Sequence, residues 1–156
     1  MTTWNDLYWA DPYAWAMEQA RALRDPSRRA NAIDWDNVAE EIESVGVSQY
    51  RACETAIERI MEHMLKIEFL RKPDPVRHWR KEIRNFRNDL SRDLSPSLAA
   101  ALPKALETPF RRARDRVLAD LEEREEQAPA DLPAANPYSW DDILGRGENW
   151  TPAPRA

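Results

Sequence analysis

Two histidines, one cysteine and an excess of acids over bases bound the chemistry open to this 156-residue chain. The grouping best suited to catalysis is Glu41, His63 and Arg87: a carboxylate to fix an imidazole tautomer, an imidazole to act as acid or base, and a guanidinium to bind an anion. Projected at about 100° per residue, Glu41 lies about 80°, His63 about 90° and Arg87 about 70° from the centre of its own apolar stripe. All three are therefore flank positions near a core edge and could meet across adjacent helices. The same trio has a structural reading, in which charges at a bundle edge bond to one another and fix which helix packs where. On that reading His63 is held by a carboxylate or carbonyl of a neighbouring helix. Glu40 and Lys66 project nearly outward.

Metal chemistry has little to draw on. A di-iron bundle needs two Glu-x-x-His pairs, because positions i and i+3 place both ligands on one inner face. Ile60 stands three residues before His63 and Pro75 three before His78. The reading assigns no metal site and no cofactor. Cys53 falls on an apolar stripe as a small core residue, and with a single cysteine no intrachain disulfide can form. Arg77, Arg80, Lys81, Arg84 and Arg87 offer a second candidate, a face for phosphate or nucleic acid. The formal charge of 23 − 28 = −5 opposes that use. Residues 34–68 hold nine acids and three bases, and residues 71–93 eight bases and four acids. The plainer expectation is thus that the basic helix complements its acidic neighbour, each exposed pair contributing ~0.5 kcal/mol.

The elements that must position these residues are helical. Three glycines are too few for the turns of a many-stranded fold, and twelve prolines punctuate stretches rich in Ala, Leu, Glu and Arg. Asp11-Pro12 caps a first helix over about 12–24, with Tyr13, Ala16, Met17, Ala20 and Leu23 on one face. Asp34 caps a second, with Ile33 and Val38 as a hydrophobic staple and Trp35, Val38, Ile42 and Val45 as its buried stripe. Gly46 ends this helix or weakens it. Tyr50, Cys53, Ile57, Ile60, Met64 and Ile67 form the seam of a third. After a loop at 71–75, with Asp74 as cap, Val76, Trp79, Ile83, Phe86, Leu90 and Leu94 repeat the stripe. A helix over 96–107, a bend and a Thr108-Pro109 cap opening a helix over 109–126 follow. The remainder, 127–156, is an extended connector with a short helix stopped by Gly145. The expected fold is all-α: one domain, an antiparallel bundle of four to six helices with a core over about 12–126 and an aromatic-rich C-terminal tail.

Several separated motifs occur in order: Asp11-Pro12-Tyr13-Ala14-Trp15, Val38-Ala39-Glu40-Glu41-Ile42-Glu43-Ser44-Val45-Gly46, His63-Met64-Leu65-Lys66, then Trp79, Ile83 and Arg87, Ser95-Pro96-Ser97-Leu98, and Pro137-Tyr138. In these the chain resembles the bacterial family known as domain of unknown function 29. The resemblance implies a helical bundle and a bacterial source but no activity, and gives Trp15, Glu40, Lys66 and Trp79 a structural role. The chain departs from the family pattern at His78, where a small hydroxyl residue is common, and at Phe86, where a polar one is common. Arg71 and His78 also formally resemble the Arg-x4-6-His element of the HEPN ribonucleases, although two prolines lie in the spacer.

No catalytic motif emerges, while Trp4, Tyr8 and Trp9 at one end and Trp140 and Trp150 at the other either clamp the bundle or meet a partner. The leading expectation is a non-enzymatic interaction or regulatory module. The alternative is a hydrolase, nuclease or anion-binding protein using the Glu41, His63 and Arg87 edge. A protein partner or a second copy of the chain fits the first reading, and nucleic acid is disfavoured. The first residues lack a charged and then apolar leader, and no apolar run spans a bilayer, so the expected location is the cytoplasm.

Overall fold

A computed structural model describes residues 4–28, 35–72 and 75–155. Among the described residues the chain is all-α, with seven α-helices and no strand: α1 (Trp4–Ala10), α2 (Pro12–Leu23), α3 (Trp35–Phe69), α4 (Val76–Asp93), α5 (Pro96–Ala101), α6 (Glu107–Glu123) and α7 (Trp140–Leu144). The expected staple at Ile33-Asp34 and cap at Asp74 lie outside the described residues. The chain divides into two compact units, Met1–Ala52 with Asp93–Ala101, and Cys53–Arg92 with Leu102–Ala156.

In the first unit, one carboxylate organises two helix starts. Asp11 Oδ1 accepts from the Ala14 amide at 2.9 Å, the expected cap of α2, and Oδ2 accepts from the Ser97 amide at 2.7 Å in the first turn of α5. Burial alone would raise this carboxyl, but the Ala14 and Ser97 bonds outweigh it and hold it below the usual aspartate value. Helix α1 precedes it directly, a seven-residue element too short to show a period.

Helix α3 is continuous where two helices were expected. Gly46 does not end it. Instead it is buried against α2, where a Cβ would lie 3.3 Å from Tyr13 Cδ2, 3.4 Å from Met17 Sδ and 3.5 Å from Ala16 Cβ. The expected stripe also shifts, for Val38 and Val45 are 37% and 54% exposed while Ala39 is fully buried. Small residues, among them Ala16 and Ala20 of α2, let the backbones approach closely here, and a search for large apolar side chains passes over them.

The second unit follows the expected pattern more closely. Cys53, Ile57, Ile60, Met64 and Ile67 are buried, and from Ile60 to Ile67 every α3 residue is. Val76, Trp79, Ile83 and Leu90 of α4 and Phe110, Ala113, Val117 and Leu121 of α6 supply the surrounding layer, closed by Leu132, Tyr138 and Ile143 from the tail. Phe86 of α4 lies beside Arg59 and His63, and Trp79, nearer the 71–75 loop, shares a small concavity with Lys66 and Leu70. That order makes α3 and α4 antiparallel. Glu54, Glu58 and Lys66 meet Arg112, Arg116 and Asp120 in turn, so α6 runs parallel to α3.

The segment after α4 also differs from expectation. Helix α5 stops at Ala101, a 3₁₀ turn at Leu102–Lys104 absorbs Pro103, and α6 begins at Glu107. Thr108-Pro109 is therefore not a cap. Pro109 lies within the first turn, where its missing N–H would have had no helical acceptor. Helix α7 ends as expected at Gly145, with φ of +89°, and begins with a reciprocal Ser139 and Asp142 capping box.

Candidate functional site

The structure does not assemble Glu41, His63 and Arg87. Glu41 and His63 lie 63 − 41 = 22 residues apart on one continuous helix, about six turns, so helix geometry keeps them from meeting. Glu41 is exposed, and its backbone carbonyl accepts from Ser44 Oγ at 2.7 Å.

His63 is only 6% exposed and packs against Phe86, the rings 18° from parallel with centroids 6.0 Å apart. Its Nδ1 is buried with no hydrogen-bond partner among the described residues. Among the described residues no carboxylate or carbonyl holds that nitrogen, where one was expected to hold the ring. Burial pushes the imidazole down to about 4; Glu62 pulls it upward while Lys66 and Arg59 push it further down. A neutral ring with no group to fix its tautomer is poorly placed for acid-base work near neutrality.

Arg87 is 7% exposed and grips the tail. Its Nε donates to the Ile143 carbonyl at 2.8 Å and its Nη2 to the Asp142 carbonyl at 2.8 Å. These are carbonyls in the last turn of α7, where a cation also meets the negative end of the helix. Burial pushes the guanidinium down to about 10, opposed by Asp142, which still leaves it charged at neutral pH. Gly145 completes the fit, since a Cβ there would fall 2.9 Å from Arg87 Nη1. No anion site remains on this side chain. The partner lies 55 residues away in sequence, a separation that helix periodicity does not report.

Lys66, expected to project outward, is 8% exposed. Its ammonium donates to Glu62 Oε1 at 2.7 Å and to Asp120 Oδ2 at 2.5 Å, and Glu62 also accepts from Arg59 Nη1 at 2.6 Å. The Lys66 bond, larger than the opposing effect of burial, holds the Asp120 carboxyl below its usual value. The parallel placement of α6 covers a flank that an isolated projection of α3 leaves open. Of the other motif residues, Trp79 is buried, Trp15 half-buried and Glu40 exposed. His78 is exposed and Arg71 bonds Asp131 at 3.0 Å, so the spaced Arg and His pair acquires no common site. Among the described residues no group of three or more His, Cys, Asp and Glu is placed to hold a metal.

The basic face is a different matter. Glu54, Glu58 and Glu68 pair with Arg112, Arg116 and Arg155, from α6 and the tail. These three acids of α3 are therefore paired without the bases of α4, whereas the expectation was that the basic helix complements its acidic neighbour. Arg77, Arg80, Lys81 and Arg84 are exposed and line an open concavity of about 370 Å³.

The model of a family described as domain of unknown function DUF29 matches residues 7–150. The chain belongs to this family. Among solved structures, the DUF29 chain is similar to an α-helical protein of unknown function from Rhodospirillum rubrum, with 26% identity over 88% of each chain and a TM-score of 0.74. No curated protein matches it. No described helix is long and apolar enough to cross a membrane.

Proposed function

We propose that this DUF29 chain is a non-enzymatic protein-interaction module of the bacterial cytoplasm, and that the first unit carries its contact surface. One observation bears most of the weight. Of the six large apolar side chains left exposed among the described residues, five belong to the first unit: Trp4, Tyr8, Trp9, Val38 and Val45. Tyr8 contacts Trp9 of its own helix and Trp15 of α2 edge-on, with centroids 5.1 and 4.9 Å away, so the aromatic helix α1 is set against α2. Clustered exposed aromatics are the composition of a contact surface and are costly to leave in water. For the alternative of a hydrolase or nuclease the support is weaker, since Glu41 is exposed while His63 packs against Phe86 and Arg87 bonds the Ile143 and Asp142 carbonyls.

The test is photo-crosslinking in the source cells from a photoreactive residue at position 9, with position 104 as an exposed control. A discrete adduct with one protein, or with a second copy of the chain, from position 9 alone is the expected result. Equal adducts from both positions, or none from either, would overturn the reading.

A further inference from the structure

The basic face of α4 is independent of that contact surface and points to a ligand of another kind. Arg77, Arg80, Lys81 and Arg84 stand at i, i+3, i+4 and i+7, one stripe of the helix, and all four are exposed. None of them shows an ion pair or a side-chain hydrogen bond among the described residues. The acids of α4 do not share the stripe, since Glu82, Asp89 and Asp93 project roughly 130 to 170° round from its centre. Like charges at these spacings repel, so the free protein maintains the stripe at a cost. The four side chains line an open concavity at the surface, where a ligand would meet all four charges.

We infer that Arg77, Arg80, Lys81 and Arg84 form a binding site for a compact ligand bearing three or four linked phosphates. Three of the four cations are arginines, whose planar forks match phosphate oxygens two at a time. The stripe rises seven residues, about 10.5 Å, more than one phosphate bridges and about what a short chain of linked phosphates spans. It carries no aromatic side chain on which a base could stack, so the phosphates themselves are what is read. The net charge of −5 does not cancel the attraction, because screening over about 8 Å makes the nearest four charges dominate.

The experiment is isothermal titration calorimetry on the full chain with inorganic tripolyphosphate, magnesium-free ATP, orthophosphate, citrate and a short DNA duplex. Tripolyphosphate should bind at least tenfold more tightly than orthophosphate or citrate, and the affinity should fall as salt is raised. The double variant Arg80→Gln/Arg84→Gln should weaken it at least tenfold while keeping its helical circular dichroism. Its melting temperature should be equal or higher, since like-charge repulsion is relieved. If that variant folds poorly, Arg77→Gln/Lys81→Gln supplies the same loss independently. Equal binding of ATP and tripolyphosphate fits a free oligophosphate, and tighter ATP names a nucleotide's phosphate tail as the source. Citrate matching tripolyphosphate, ATP binding where tripolyphosphate does not, wild-type affinity in both variants, or preference for the duplex at equal phosphate concentration would each overturn the assignment.

Discussion

In the second unit α3 is buried at every position from Ile60 to Ile67, whereas in the first unit the same helix exposes Val38 and Val45 and buries Ala39 and Gly46. The second unit surrounds large apolar side chains with two long helices and a tail, and closes its polar rim with ion pairs such as Lys66 with Asp120 and Arg116 with Glu58. The first relies on close backbone approach through small residues and a shared Asp11 cap, and leaves the aromatics of α1 outside. One half of a helix thus serves as a framework and the other as a support for a surface. The difference predicts that substitutions in the buried core of the second unit act on stability, and those on α1 act on recognition.

The largest effect should come from Arg87. Arg87→Ala leaves the Ile143 and Asp142 carbonyls unpaired at the end of α7, and losing two charge-assisted bonds in a buried setting costs roughly 3 to 5 kcal/mol. Urea unfolding should show it, and deletion of residues 138–156 should cost at least as much, because Tyr138 and Arg155 also bond Glu68. Arg87→Ala with an unchanged midpoint would mean that the tail does not help to hold the second unit.

The pH dependence of stability comes next. His63 is lowered to about 4 when folded, against an ordinary value near 6.5, so below pH 6.5 the unfolded chain takes up a proton that the folded chain refuses. Stability is unaffected by this group above pH 6.5 and falls as the pH drops toward 4, by at most about 3 kcal/mol. Unfolding followed from pH 7 to 4.5 should show the decline in the wild type and a much flatter profile in His63→Gln. Asp11, Asp120 and Asp142, all held below their usual value, contribute in a lower window, where stability present above about pH 3.8 is lost on further acidification.

A smaller effect follows at the same residue. Since Nδ1 has no partner to strand, His63→Leu at pH 7 removes an unsatisfied buried nitrogen and should stabilise by about 1 kcal/mol in thermal melts. A loss of stability would show that the imidazole makes a bond that packing against Phe86 does not account for.

How much of this was legible in the sequence divides along the same line. The seam from Cys53 to Ile67, the stripe of α4, the Asp11 cap and the Gly145 stop were all readable, because large apolar residues at helical spacing and capping residues carry local signals. The continuity of α3 was not, since a glycine that admits a neighbouring helix and a glycine that ends one look alike in sequence. Lys66 and Arg87 were misjudged for a related reason. Projection places a side chain relative to its own helix, but the covering element in each case, α6 or the tail, comes from 54 to 56 positions away. Arg77, Arg80, Lys81 and Arg84 of α4 were visible as residues, but that Glu54 and Glu58 of α3 would pair with α6 was not.

The smallest effect on stability tests the other half of the comparison. Trp9 is 76% exposed, and its ring contact with Tyr8 is edge-on at the surface, so Trp9→Ser removes little area that folding had taken from water. Surface substitutions of this kind fall within about 0.5 kcal/mol. In the second unit, by contrast, truncating the fully buried Leu65 to alanine should cost about 2 to 5 kcal/mol. The two variants should therefore separate cleanly in thermal melts, with Trp9→Ser indistinguishable from wild type. A photoreactive residue at position 104 would be unaffected, while the adduct from α1 should weaken when Trp4 is also changed to serine. If Trp9→Ser instead destabilised the chain by more than about 1.5 kcal/mol, α1 would be part of the first unit's core, and its aromatics would no longer argue for a partner.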